Sequence, residues 1–175
     1  RLTGRAGAYS LGLLNLQTGE DADAGAHSTN FSAIRVRRDV LRSSSVGVIA
    51  TTRGPGLRTG GTNVVVGADA QLFLTREITA LGYYAQTHTT GEPVSGKSYR
   101  GRVEYNADRY GLSGEHLLVG RDFNPEVGYV RRDDIRRTFL DARFSPRPTR
   151  GAIRQLTWEG SVNHVTNAAA TQVQD

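Results

Sequence analysis

The sequence contains no cysteine and no methionine, and Lys97 is the only lysine among its 22 basic residues. Without cysteine there is no disulfide framework, no thiolate metal site and no cysteine nucleophile. Because the chain starts at Arg1 without a methionine, we expect it to be an internal segment of a longer protein. Residues 1–175 are then a single domain segment that is incomplete at both ends.

Long apolar runs and helical periodicity are also missing. The longest apolar runs, residues 46–50 and 64–68, fall far short of the ~18 residues that a membrane-spanning helix needs. No window repeats with a period of 3.6 residues, so the sequence predicts no helix. The net charge of +5 comes from scattered arginines rather than lysine clusters, and we expect no nucleic-acid partner.

Alternation of apolar and polar residues is what the sequence does contain. Residues 63–74 show it best, with Val64, Val66 and Leu72 on one face and Asp69 and Gln71 on the other. A strand produces this pattern because successive side chains point to opposite faces. The same pattern predicts about ten strands, near residues 8–18, 30–38, 45–53, 63–74, 78–88, 98–106, 109–119, 127–131, 136–145 and 153–165. The predicted fold class is all-β, an antiparallel up-and-down meander.

The connections between these strands alternate between long and short. Consecutive hairpins give this alternation when one end of a sheet carries turns and the other carries loops. A short repeat of the form V-R-R-D-x-[LI]-R occurs at residues 36–42 and 130–136. Both copies are predicted to lie at short turns exposed to water.

The two faces of the strands favour a transmembrane β-barrel. One face is small and apolar, with tyrosine or tryptophan near several strand ends, and the other carries charged and hydroxyl side chains in mid-strand. Strands of ~9–11 residues, short turns at one rim, long loops at the other and aromatic girdles are typical of outer-membrane barrels. A soluble β-sandwich also alternates, although its strands are usually shorter, and it remains the alternative fold.

Five segments carry a resemblance to a known family. They are residues 11–18, 29–31, 37–42, 105–111 and 123–134, and the run Asn-Pro-Glu-Val-Gly-Tyr-Val-Arg-Arg-Asp-Asp in the last of them is the most specific. Together they resemble the domain-of-unknown-function family 5916, in which a large bacterial β-barrel domain follows a family 9 carbohydrate-binding-like domain. The resemblance extends over residues 2–165.

The resemblance implies an outer-membrane β-barrel of a Gram-negative cell, with outer-membrane lipid around it. The implied partners are a glycan or small solute and the upstream carbohydrate-binding-like domain of the same protein, which this chain does not contain. The expected function is transport or surface binding linked to carbohydrate or nutrient uptake, without chemistry of its own. The alternatives are a soluble all-β carbohydrate-binding module and the barrel part of an envelope carbohydrate-active hydrolase.

The first candidate site is a set of charged residues that share one face of the predicted strands and would face a lumen. A pore lining that favours anionic or hydroxylated solutes is one interpretation. Cross-strand salt bridges that fill a narrow lumen are the other, which we favour because opposite signs fall on neighbouring strands. The candidates are Arg35, Arg37, Asp69, Arg100, Arg102, Glu104, Glu115, Asp141, Arg143 and Glu159.

The second candidate site is the specific segment within residues 123–134. A loop that folds into the lumen or contacts a partner is the functional interpretation. A loop whose Asn, Pro and Gly only set the backbone geometry is the simpler one, which we favour. Its candidate residues are Asn124, Pro125, Glu126, Gly128, Arg131, Arg132, Asp133 and Asp134.

The remaining candidates predict no chemistry. The four histidines are scattered without metal-ligand spacing, so neither a metal nor any other cofactor is expected. Ser161 and His164 lie three residues apart and would face opposite sides of one strand, which argues against a hydrolase triad, and Ser113 and His116 fail in the same way. The aromatic residues are predicted to form a membrane-interface girdle, with carbohydrate stacking as the alternative.

Overall fold

The computed structural model describes residues 1–20, 27–55, 60–148 and 154–173, which form a single antiparallel β-sheet. Strand neighbours in sequence are neighbours in the sheet throughout, so the predicted all-β up-and-down meander is confirmed. In the described ranges no helix is long and apolar enough to cross a membrane. The strands are β1 (Leu2–Ala6), β2 (Tyr9–Gln17), β3 (Asn30–Val40), β4 (Ser44–Gly54), β5 (Asn63–Phe73), β6 (Ile78–Thr89), β7 (Gly96–Asn106), β8 (Tyr110–Val119), β9 (Ile135–Phe144) and β10 (Trp158–Thr166).

One predicted strand is wrong and one observed strand was missed, so the described residues still form ten strands, the number expected. The five-residue strand β1 was not predicted, and residues 127–131, predicted as a strand, lie in the connection between β8 and β9. There the N–H of Gly128 donates to the carbonyl of Pro125 at 2.9 Å, which closes a turn instead of a ladder. The last strand begins at Trp158 rather than at residue 153, which lies outside the described residues.

The connections separate into two rims of the sheet. Of the described residues, the turn rim carries 7–8, 41–43, 74–77, 107–109, 145–148 and 154–157, and the loop rim carries 18–20, 27–29, 55, 60–62, 90–95, 120–134 and 167–173. The predicted alternation therefore holds except at the β9–β10 connection, which is long and lies at the turn rim. The prediction that both V-R-R-D repeats lie at short turns is also wrong, because residues 130–136 run along the loop rim into β9.

Strand ends shift steadily in one direction across the sheet. The row of paired residues that starts at Tyr9, the first residue of β2, ends at His164, which lies six residues after the first residue of β10. Six residues correspond to about 20 Å along a strand, and the eight steps between strands to about 38 Å. The strands thus lie at roughly 30° to the normal of the rim, slightly below the ~35–45° tilt typical of closed barrels.

Within the described residues no second sheet covers either face. Among the described residues β1 and β10 each pair with one neighbour only, so the sheet is not closed. The buried apolar side chains in this part of the chain are Val65, Leu118 and Val119, and no second layer packs on either face. The described residues therefore do not form the two-sheet core that a β-sandwich requires.

Candidate functional site

All ten predicted charged candidates lie on one face of the sheet, which we call the polar face. Strand register places them there, since paired residues of adjacent strands point to the same side and alternate residues of one strand do too. Arg37, for example, shares a row with Gly47, Asp69, Tyr83 and Arg100. The full set on this face is Arg35, Arg37, Asp69, Arg100, Arg102, Glu104, Glu115, Asp141, Arg143 and Glu159.

Ion pairs, most of them between different strands, join six of these side chains. Arg35 reaches Asp69 at 2.7 Å, and Gly47 between them leaves room because its missing Cβ would lie within 3.2 Å of both partners. Arg100 contacts Glu115 at 2.5 Å. The cluster continues through Arg102, which pairs with Glu104 and approaches Glu115 at 3.6 Å. Most of these groups are part-exposed, so each pair adds about 1 kcal/mol or less.

The three charged candidates on β9 and β10 take no part in these ion pairs. Arg143 donates to the Asn106 side chain at 2.9 Å and to the carbonyl of Ala107 at 2.8 Å, which holds the β7–β8 turn. Asp141 and Glu159 form no ion pair within the described residues. They leave a small excess of negative charge near the turn rim of β9 and β10.

The opposite face, which we call the apolar face, exposes a continuous band of large hydrophobic side chains. More than half of the surface of Val48, Val103, Leu112, Leu140 and Val162 is open. At the turn rim an aromatic stack extends over three strands, with ring centroids 5.3 Å apart for Tyr110–Phe144 and 5.7 Å for Phe144–Trp158. A contiguous exposed apolar surface of this extent marks an interaction surface.

Toward the loop rim the apolar face becomes polar. Asn15 donates to Asn30 at 3.1 Å and to Ser32 at 2.7 Å, and Thr138 lies 2.9 Å from a ring nitrogen of His116. The hydrophobic band therefore ends before the strands do, and the loop-rim ends of the strands present groups suited to water.

The connection at residues 120–134, which we call the motif loop, folds back over the polar face at the loop rim. Its backbone at Asp122 and Phe123 crosses Gly96 so closely that a Cβ there would overlap both residues. The Asn63 side chain, which is 0% exposed, donates to the carbonyl of Asn124 at 3.0 Å and accepts from the N–H of Glu126 at 3.3 Å. These bonds satisfy loop backbone groups that the sheet cannot pair.

A charged contact reinforces this attachment. The Glu126 side chain is 0% exposed and lies 3.8 Å from the guanidinium of Arg53, which is itself 15% exposed and stacks over the Phe31 ring. Burial of a carboxylate is costly unless a partner compensates it, so the pair ties the loop to β4.

The other candidates of the motif loop occupy its outer part. Asp134 accepts from Arg121 at 3.2 Å and from the N–H of Ala168 at 3.2 Å. Arg131, Arg132 and Asp133 are exposed. The motif thus combines an anchor at Asn124, Pro125 and Glu126 with an outer segment that includes Gly128 and the charged residues after it.

The histidines are not assembled into a centre. Within the described ranges there is no group of three or more His, Asp or Glu side chains that could hold a metal ion. His164 and Ser161 lie on opposite faces of β10, and His116 and Ser113 on opposite faces of β8. Neither serine can therefore contact the histidine that lies three residues after it in the sequence.

Sequence reasoning missed the partners that hold the motif loop. They are Asn63, Arg53, Thr87 and Gly96, and Thr87 accepts from the N–H of Asn124 at 3.3 Å. One signal was available in the sequence. Each of these residues lies at or near a strand end, and the alternation places it on the charged face.

The chain matches no protein-family model, and neither a curated protein nor a solved structure matches it.

Proposed function

We propose that the chain forms part of the wall of a transmembrane β-barrel in a bacterial outer membrane. The apolar face would contact lipid and the polar face would line the interior. The observation that carries the proposal is the separation of the two faces: every charged candidate lies on one side, and the exposed band of valine, leucine and aromatic side chains lies on the other. Lipid tolerates a sheet only with this separation and with its edges paired.

Three further features support this placement. Strands β2 to β10 are nine to twelve residues long, close to the ~9–11 residues that a tilted strand needs to cross a bilayer. The progressive stagger means that the strands are tilted, as the strands of barrels are. The aromatic stack at the turn rim and the polar ends at the loop rim bracket the apolar band as two membrane interfaces would.

In this proposal the chain serves the passage or surface binding of small solutes and glycans and performs no chemistry. The motif loop narrows the interior, because it lies on the polar face and is anchored there by Asn63 and by the Arg53–Glu126 pair. A link to carbohydrate uptake and to an upstream carbohydrate-binding-like domain rests on the resemblance to domain-of-unknown-function family 5916.

The test is made on the full-length protein that contains this chain, expressed in a Gram-negative host. The outer-membrane fraction is separated and run on a denaturing gel with and without boiling. We expect a band in that fraction that changes mobility on boiling, as closed barrels do, followed by ion conductance in planar bilayers. A periplasmic protein that stays in solution without detergent and shows no mobility change would refute the proposal.

A further inference from the structure

A cleft of about 630 Å³ lies between the motif loop and the polar face. Its floor comes from two adjacent rows of the sheet, with Tyr83, Leu117 and Arg137 in one row and Ser98 in the next. Its roof is the motif loop, which contributes Phe123 and other residues up to position 132. Since the anchors of the loop fix its height above the sheet, the cleft is built into the fold.

The charged groups that line the cleft are all positive. They are Arg131, Arg132 and Arg137, and no aspartate or glutamate is among the described lining residues. Arg137 is held in place, because its Nε donates to Asn163 at 2.8 Å and its guanidinium lies 5.5 Å from the centre of the Phe139 ring. Arg131 is exposed and forms no ion pair within the described part of the chain. Among the described residues the charge of Arg131 is thus open to an anionic ligand.

Aromatic and hydroxyl groups complete the lining. Tyr83, Phe123 and Tyr129 offer ring surfaces, and the Tyr83 hydroxyl lies 3.1 Å from Oγ of Ser98. Ligand pockets characteristically combine apolar and aromatic walls with a few polar groups that fix orientation. A ring that stacks on an aromatic face and carries a carboxylate for an arginine fits this lining, because guanidinium groups bind carboxylates with two parallel hydrogen bonds.

We propose that this cleft is a binding site for carboxylated ring solutes of the acidic-sugar class. Arg131 and Arg137 hold the carboxylate, and the aromatic side chains receive the ring. The exposed Tyr83 hydroxyl, which the buried Ser98 holds in place, bonds a ring hydroxyl. The proposal rests on the proposed function in one respect: the solute reaches the cleft through the water of the barrel interior.

The experiment measures equilibrium binding of glucuronate and of glucose to the full-length protein by titration calorimetry. Glucose is the uncharged control for the ring. We expect glucuronate to bind at least about ten-fold more tightly than glucose, and we expect Arg131→Gln to weaken glucuronate binding about ten-fold, because a charge-assisted contact is lost. We also expect salt at about 0.5 M to weaken glucuronate binding, because dissolved ions screen exposed charges.

Arg76→Gln is the matched control variant. Arg76 is exposed in the 74–77 turn at the opposite rim, and the substitution makes the same change in net charge. We expect it to leave glucuronate affinity unchanged. Equal affinities for glucuronate and glucose, or equal effects of Arg131→Gln and Arg76→Gln, overturn the proposal.

The two proposals fail separately. An outer-membrane protein whose band shifts on boiling but that binds glucuronate no better than glucose overturns the cleft alone. A water-soluble protein whose glucuronate binding is lost in Arg131→Gln overturns the barrel alone. Arg137→Gln is a second test of the site, made on protein that still shows the gel shift. An unchanged glucuronate affinity in this variant also counts against the cleft.

Discussion

Gly96 is the residue at which the motif loop comes closest to the sheet. A Cβ at this position would overlap the carbonyl of Asp122 and Cα of Phe123, which are backbone atoms and cannot rotate away. We expect Gly96→Ala to lift the loop and to speed tryptic cleavage after Arg121, Arg131 or Arg132 by about ten-fold, because cleavage needs a locally detached segment. The measurement is the rate at which trypsin cuts the folded full-length protein.

Gly101→Ala is the control for that substitution. Gly101 lies in the same strand, and a Cβ there would meet no atom within 4 Å. Its cleavage rate should match that of the unaltered protein. Equal rates for the two alanine variants would mean that the loop does not rest on β7.

Asn63 holds the loop through hydrogen bonds made by both polar atoms of its buried side-chain amide. Its side chain donates to Thr89 at 2.9 Å and to the Asn124 carbonyl at 3.0 Å, and it accepts from the N–H of Glu126. Asn63→Ala leaves buried polar groups unpaired, so we expect a loss of about 2–4 kcal/mol in the free energy of unfolding, read from urea denaturation. Asn15→Ala removes an exposed amide network and should cost less than about 1 kcal/mol. A loss at Asn63 as small as the one at Asn15 would contradict the role of Asn63.

Residue-level prediction from the sequence succeeded where the period of two decides and failed where distant segments meet. The faces of Asp69, Arg102 and Asp141 follow directly from alternation along each strand. The contact of Asn63 with Glu126 joins positions 63 residues apart, and no local pattern indicates it.

At the scale of the strands, the side-chain pattern alone does not decide which segments pair. Residues 127–131 contain two valines and a tyrosine, which favour strands, yet the Pro125–Gly128 turn leaves them outside the ladders of the described residues. Strand β1 alternates only weakly, because Leu2 is the one large residue on its apolar side and the others there are Gly4 and Ala6. It becomes a strand by pairing with β2 through the two-residue turn at Gly7, whose φ of 59° suits a glycine in a hairpin turn.

The Arg53–Glu126 pair is the electrostatic part of the loop attachment. Glu126→Gln leaves the Arg53 guanidinium facing a neutral amide in a largely buried site, and we expect a loss of about 3 kcal/mol in the free energy of unfolding. Arg53→Gln combined with Glu126→Gln should recover part of that loss, because neither charge is then left alone. A double-mutant cycle in urea measures the coupling.

The surface pair Arg147–Asp108 serves as the comparison for that cycle. Its atoms lie 2.6 Å apart but its side chains are 57% and 59% exposed, so Asp108→Asn should cost about 1 kcal/mol or less. A coupling at Arg53–Glu126 no greater than at this exposed pair would show that the loop is held by its hydrogen bonds alone.

For the whole molecule, the separation of faces was readable from the sequence while closure of the sheet was not. Period-two alternation fixes which side of each strand is apolar, and ten strands in one meander then share a single apolar surface. Closure depends on what pairs with the free edges of β1 and β10, and that is a property of strand ends rather than of alternation. The stagger of six residues between β2 and β10 likewise emerges only from the pairing register.

Val48 distinguishes a lipid-facing surface from a water-facing one. It is 54% exposed in the middle of the apolar face, with Val36 and Ala68 as its cross-strand neighbours. In lipid, Val48→Arg should cost about 2–4 kcal/mol, whereas at an exposed position in water the same change stays within about 0.5 kcal/mol. The measurement is the fraction of full-length protein that refolds into vesicles, read from the mobility shift on unboiled gels. Gln71→Arg adds the same charge on the polar face and should refold as the unaltered protein does. If both arginine variants refold equally well, the apolar face does not lie in lipid.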